Sequence, residues 1–326
     1  MHKCVAPQEL HKKSNKQSQG GRISPPFGYF GSKNRLALRI AKLLPPHNAW
    51  VEAFCGSAAV TLAKTSAQIE VINDIDEEIV NLFKQLRDKP SKLCNLVSLT
   101  PYSRRELEIA RRSIGQKDAP LERARKFLVS SMMAINSAFG SDNGGFSYSQ
   151  SYARGGCEAR VNRWCKLPER LLQVVERLKR VRIEKRDAVD LLTMFSDKPA
   201  TLVYLDPPYL VERKNGYTHD ANDRSFHRRL LRVANRAKCM ILISGYENDL
   251  YSSFLKRDKG WVKTTIKTYT KAAKGQRHER QEVLWKNRFF VEAERRNKIP
   301  VRLTKAELRA GKINPSRHRG HKQKAR

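Results

Sequence analysis

Apolar positions along this chain follow two rhythms. Leu36, Ile40, Leu43 and Leu44 recur at helical spacing and predict a helix over 34–44, stopped by Pro45-Pro46. The run 49–53 predicts a strand, Gly56 to Lys64 a turn into a helix, 69–72 a second short strand and 77–87 another helix. Alternation of this kind builds a parallel, doubly wound sheet. The rhythm changes over 91–135, which reads as helical throughout with Arg- and Lys-rich faces. One helix runs from Tyr102 to Ile114 and another from Pro120, a residue favoured in a first turn, to Ile135. A loop of Gly, Ser, Asn and aromatic residues follows at 139–146, then a helix over 168–179. Alternation resumes with strand 181–184, helix 187–195, a strongly apolar strand 201–205, helix 226–237 and strand 240–244. The runs 261–269 and 282–285 suit a closing antiparallel pair.

The pattern is therefore an α/β sheet interrupted by helices. Its expected division is a disordered basic arm at 1–22, a sheet domain at 23–87 and 181–290, a helical insert at 88–180 and a basic tail at 291–326. The tail has room for one short helix, with Thr304 as cap and Glu307 three residues on. No internal repeat is visible.

The 326 residues suffice for one large or two small domains, and 40% hydrophobic with 30% charged residues suits a globular chain. No run approaches the roughly 20 apolar residues of a membrane span, and the first residues lack the apolar core of a secretory signal, so a cytoplasmic protein is expected. The six cysteines form no C-x-x-C pair and no histidine stands at zinc spacing from them, so neither a metal nor a disulfide framework is expected. Charge changes the picture most. Lys and Arg total 65 against 32 acids, a net +33, and such a field attracts polyanions. Nucleic acid is the leading partner. A solubilising tail is the plainer explanation, and an anionic membrane is disfavoured because no basic amphipathic helix with aromatic anchors stands out.

Candidate chemistry gathers at strand ends. Asp206-Pro207-Pro208-Tyr209 follows the strand 201–205, on the sheet edge where open α/β sheets bind ligands. The prolines fix the turn and remove backbone donors, leaving a carboxylate, a carbonyl and an aromatic face in one small space. An amino nitrogen that attacks a methyl sulfonium gains positive charge, which a carboxylate and a carbonyl aimed at its hydrogens stabilise. The ring could stack on a flipped base. A plain turn would also use these residues. Glu52-Ala53-Phe54-Cys55-Gly56-Ser57 leaves a strand and opens a helix, where small residues let a ligand approach the backbone; strand-turn-helix packing alone is the alternative. Asp74 ends the second strand, where an acid can hold ribose hydroxyls, and Asp76 suits a helix cap. Asp187 suits either an N-cap or a ligand contact, and Ser244-Gly245-Tyr246 either a pocket border or a turn.

Together these segments resemble the Dam-type DNA adenine N6-methyltransferases, especially the solitary enzymes of phages and prophages. Residues 26–33 are similar to the family's opening motif, which implies that Tyr29 lines the methyl-donor site and that Lys33 binds nearby. Residues 51–57 resemble its donor-binding loop, carrying Glu52, Phe54 and Gly56, and 71–76 its ribose motif, carrying Asp74. Asp206 to Tyr209 matches its catalytic motif unchanged, implying Asp206, Pro207 and Tyr209 as the catalytic set, with Asp206 also at the donor site; Arg280 to Trp285 followed by Asn287 is similar to its last strand. The likeness spans about 25–290 in order. Ala53 stands where the family usually has Pro, and Ala58 where it keeps a second Gly, which puts donor affinity in doubt. The resemblance implies a Rossmann-like S-adenosylmethionine-dependent methyltransferase sheet with a helical target-recognition insert, Asp187 near the donor's adenine, and methylation of double-stranded DNA by a monomer without a metal.

The insert supplies arginines suited to phosphates and guanine edges: Arg104, Arg105, Arg111, Arg112, Arg123, Arg125, Arg154, Arg160 and Arg163, with Asn136 opening a loop that could enter a groove. Lys271, Lys274, Arg277, Arg280 and the tail would add non-specific affinity. A solvated helix face is the commoner explanation for each. Rival readings are a cytosine-N4 or an RNA adenine methyltransferase, and a basic DNA-binding protein of the same fold without catalysis.

Overall fold

Strand β4 (Thr201–Leu205) is buried along its whole length, as an unbroken apolar run must be when helices cover both faces of a sheet. The computed structural model describes residues 23–28, 33–112, 118–135, 145–148, 157–210, 224–271 and 277–301, with backbone alone at 268–271 and 277–280. After a 3₁₀ turn over Lys33–Arg35 come α1 (Ala37–Ala41), β1 (Ala49–Glu52), α2 (Ala59–Ala63), β2 (Ile69–Asn73) and α3 (Glu77–Asp88). Five helices follow before the next strand: α4 (Pro90–Leu99), α5 (Arg104–Arg112), α6 (Pro120–Met133), α7 (Ala159–Cys165) and α8 (Leu167–Leu178). The sheet then resumes with β3 (Val181–Glu184), α9 (Ala188–Phe195), β4, α10 (Arg224–Arg236), β5 (Met240–Gly245) and α11 (Asp249–Phe254). Strands β6 (Val262–Lys271) and β7 (Arg277–Lys286) and helix α12 (Arg288–Arg296) complete the described chain.

The seven strands form one sheet in the order β3-β2-β1-β4-β5-β7-β6. The first five are mutually parallel, and β7 runs antiparallel between β5 and β6. This is the doubly wound, Rossmann-like arrangement that the strand-helix alternation predicts. The order reverses between β1 and β4, so the crevice at their carboxyl ends is the topological switch point where such sheets hold ligands. Successive β4 residues face opposite layers. Val203 and Leu205 pack with Val51, Ile241 and Ile243 against α9, α10 and α11. Leu202 and Tyr204 pack with Trp50, Leu242 and Leu284 against α1, α2 and α12. A third cluster joins α3 to the helices between β2 and β3 through Phe83, Leu93, Phe127, Trp164 and Leu171.

Three helices escape the sequence rhythm. Helices α7 and α11 are short, and α12 falls across the boundary expected for the basic tail. Phe290 and Ala293 of α12 are buried on the sheet. Asn287 caps the helix through the Phe290 N–H and ties it to β5, accepting from the Ile241 N–H and donating to the Cys239 carbonyl. Two buried side chains thus seat on the sheet a helix whose remaining positions are mostly polar. The short helix expected at Thr304 lies outside the described residues. No helix among them is long and apolar enough to cross a membrane.

A buried ion triad fixes the helical layer to the sheet. Glu70 on β2 meets Lys64 at 2.7 Å and Arg177 of α8 at 2.5 Å, and Arg177 also donates to the Thr61 carbonyl. Glu70→Ala leaves two buried cations without their carboxylate, and a loss of about 3–5 kcal/mol is expected in denaturant unfolding. A loss below about 1 kcal/mol, the level of a surface pair, would contradict that role.

Candidate active site

Asp206 is the first residue beyond β4, at the sheet edge, and Pro207-Pro208 follows it. Its Oδ1 is the focus of a buried polar cluster drawn from four segments. Lys33, from the turn before α1, places Nζ 2.8 Å away. Ser244, at the end of β5, donates its hydroxyl at 2.8 Å and is itself paired with the Tyr204 hydroxyl at 2.8 Å. The Tyr209 hydroxyl lies 3.4 Å from the same oxygen, donates to Glu282 Oε1 at 2.6 Å and meets Lys33 Nζ. Glu282, on β7, stands 3.4 Å from Lys33 Nζ.

Electrostatics follow from the geometry. Burial works against the Lys33 ammonium, but Asp206 and Glu282 outweigh it and its pKa is raised. Burial raises the Glu282 carboxyl; Lys33 opposes the rise and Asp206 adds to it. Burial, with the two carboxylates, drives the Tyr209 hydroxyl far above its ordinary value, so it remains a donor. The Tyr209 ring lies 4.5 Å from that of half-buried Tyr246, and Phe54 meets Phe226 edge to face at 6.2 Å.

Asn73 and Asp74 organise the ends of β1, β2 and β3. The Asn73 side chain donates to the Ala53 and Arg186 carbonyls and accepts from the Arg186 N–H at 2.8 Å, locking three strand ends together. Asp74 accepts from the Gly56 N–H at 2.8 Å through Oδ2 and from the Asp76 N–H at 3.1 Å through Oδ1. Burial raises its pKa to about 6, so it is ionised at neutral pH. Asp76 caps α3, and Asp187 caps α9 through the Val189 N–H at 2.7 Å with Arg229 at 4.0 Å. Glu52 is buried and accepts from the Thr61 amide and hydroxyl, and burial raises its pKa to about 7. Its carboxylate therefore braces the start of α2 from beneath the loop.

That loop turns through positive φ twice, at Gly56 (46°) and at Ala58 (54°). Left-handed backbone costs an L residue roughly 1–2 kcal/mol, which explains the glycine that the resemblance places at position 58. The Ala58 methyl is fully buried, and its loss offsets part of the relief. Ala58→Gly is therefore expected to hold or raise the melting temperature, whereas Ala59→Gly, at the first residue of α2 and buried, should cost up to about 1 kcal/mol. A larger loss for Ala58→Gly than for Ala59→Gly would contradict the strain.

The structure thus brings Lys33, Asp206 and Tyr209 together, and Gly56 with Asp74 beside Phe54. Sequence reasoning missed Glu282; its one signal was an acid on the inward-facing side of a strand that reads Glu-Val-Leu-Trp. Tyr29, Asn136, Arg154 and Lys274 lie outside the described residues, and Lys271 and Arg277 are placed by backbone only, at the facing ends of β6 and β7. Arg104, Arg105 and Arg112 are exposed on α5, where Arg104 covers the Phe146 ring and Arg105 pairs with Glu108. Arg111 is half-buried. Two arginines read as DNA ligands are engaged elsewhere: Arg123 with Glu78, and Arg125 with Glu106 and Glu122. No group of three or more metal-ligating side chains occurs among the described residues.

A family model described as D12 class N6 adenine-specific DNA methyltransferase matches residues 29–268. No curated protein matches the chain. Among solved structures, a Pyrococcus horikoshii protein assigned as an RNA methyltransferase aligns at 9% identity, covering 86% of this chain and 96% of its own, with a TM-score of 0.34. Precorrin 8W decarboxylase from Methanobacterium thermoautotrophicum aligns at 11% identity, covering 78% and 88%, with a TM-score of 0.32. Precorrin-6y C5,15-methyltransferase from Geobacter metallireducens aligns at 10% identity, covering 78% and 85%, also at 0.32.

Proposed function

This chain belongs to the D12 class N6 adenine-specific DNA methyltransferase family, and from that premise we propose that it methylates the amino nitrogen of an adenine flipped out of double-stranded DNA, directly and at a specific sequence. The observation that carries the reading is the convergence of Lys33, Asp206, Tyr209 and Glu282 at the switch point of the sheet.

S-adenosylmethionine, when bound, supplies a methyl group activated on a sulfonium. The residues at the β1 and β2 ends fit such a donor: a half-exposed, ionised Asp74 for ribose hydroxyls, a loop opened by Gly56 for close backbone approach, and the Phe54 ring beside it. Asp187 at the end of β3 is the candidate for the donor's adenine. Lys33 is assigned to the Asp206 cluster that adjoins this site.

The Asp206 carboxylate and the Pro207 carbonyl accept the two hydrogens of the target amine, stabilising the positive charge that grows on nitrogen. The product nitrogen then releases its proton to solvent. Lys33, Ser244 and Tyr209 hold Asp206 in place, and the Tyr209 and Tyr246 rings offer the flipped base a stacking surface. Helices α4–α8, with Arg104, Arg105, Arg111 and Arg112 on α5, are assigned to target recognition; Lys271 and Arg277 at the β6–β7 end, together with Lys274, are assigned to phosphate contacts. A duplex with 2-aminopurine at the target adenine tests the extrusion step. Fluorescence should rise on binding by the wild type and by Asp206→Ala; an unchanged signal with tight binding would rule extrusion out.

A further inference from the structure

Arg170, in the first turns of α8, sits awkwardly for an arginine. Among the described residues its Nε is sealed from solvent with no hydrogen-bond partner, and its Nη2 reaches only the Pro26 carbonyl at 3.3 Å and the Met132 sulfur at 3.8 Å. Arginine is ordinarily buried beside a carboxylate. Here burial and the neighbouring Arg163 together lower its pKa to about 10, and no ion pair involves Arg163, Lys166 or Arg170 among the described residues. These three cations, with Ser24, Glu169 and Gln173, line an open depression of about 280 Å³. Glu169 is the one acid there, and it is exposed.

The topology puts this depression on the working side of the sheet. Helix α8 leads straight into β3, so its carboxyl end lies at the sheet's amino edge and its first turns point back toward the edge that carries Asp206. Pro26, which Arg170 touches, precedes Lys33 by seven residues.

We propose that Arg163, Lys166 and Arg170 form a preformed site for one phosphodiester of the DNA backbone, holding the duplex in register beside the target base. The proposal rests on the reading that DNA is the substrate. An anion there supplies the partner that the Arg170 guanidinium lacks, and a point contact of this kind positions the duplex without reading its sequence. The three cations stay together in the free protein because the overall fold holds them, at a cost that the bound phosphate removes.

The test compares wild type with Arg170→Met and Arg163→Ala in equilibrium binding to a duplex substrate across a salt series. Each variant should bind about tenfold more weakly at 0.1 M salt, with the slope of log affinity against log salt lowered by about one. The loss in transfer should appear in the KM for duplex. Arg170→Met should melt no lower than wild type, because methionine removes a buried unpaired charge. Replacing single phosphates with uncharged methylphosphonates should then find one linkage whose neutralisation weakens wild type and leaves Arg170→Met unaffected. Unchanged affinity and slope in both variants, or a lower melting temperature with unchanged binding, would overturn the site, as would the same losses on an RNA duplex but none on DNA. Wild type that neither binds nor methylates DNA would fail the substrate reading itself, which is distinguishable from a variant that behaves as wild type.

Discussion

Asp206→Ala is expected to lower methyl transfer by a factor of about 10³ or more, the scale set by removing a group aimed at transition-state charge. Duplex binding and donor binding should survive. The carboxylate touches Lys33, Ser244 and Tyr209, yet Lys33 keeps Glu282 as a partner and Ser244 keeps Tyr204. The cluster therefore loses its reacting end without losing its frame. Single-turnover transfer with saturating duplex reads the chemical step directly. Turnover within about tenfold of wild type would remove Asp206 from the mechanism.

Lys33→Met should act through pH. In the native cluster one ammonium faces two carboxylates, at 2.8 Å and 3.4 Å. Without it, Asp206 and Glu282 confront each other in a buried space, where burial already raises Glu282. Glu282, without the ammonium that opposes its rise, then holds its proton to higher pH. With that proton it competes with the amine as a donor to Asp206. The acid limb of the kcat–pH profile is therefore expected to move to higher pH, with activity at pH 7 down about tenfold to a hundredfold and recovering toward pH 9. Lys33→Arg, which keeps the charge, should restore most of the wild-type profile. A uniform loss at every pH would show instead that Lys33 binds a substrate rather than holding the carboxylates apart.

What the sequence disclosed depended on how local the signal was. The run 201–205 with Asp206 to Tyr209 names a strand and the carboxylate at its end, and the structure places both as read. Asp74 was likewise legible at a strand end, and Asp76 shows its cap role in the two amides that it accepts from; the part Asn73 plays in tying three strand ends required the fold. Glu282 was not legible, because its neighbours in the cluster come from positions 33, 206 and 209, and only the β5–β7 pairing brings them together. The same holds for Glu70 and Arg177, which are 107 residues apart and meet through a helix whose docking no pattern reveals. Arg123 and Arg125 show how an arginine's partners escape the sequence. An arginine-rich helix looks alike whether it faces a phosphate or Glu78, Glu106 and Glu122, and the partners decide. Ala58 was visible as a departure from the family, but its left-handed backbone, which explains why glycine stands there elsewhere, required the fold.

The most direct test of the central claim follows a labelled methyl group from S-adenosylmethionine into unmethylated double-stranded DNA, with adenine-free duplex and total RNA in parallel. The account predicts label in N6-methyladenine of natural double-stranded DNA, none in its cytosines, and none in the adenine-free duplex or RNA. Label in cytosine or in RNA, or none in any substrate while the donor binds, would contradict it.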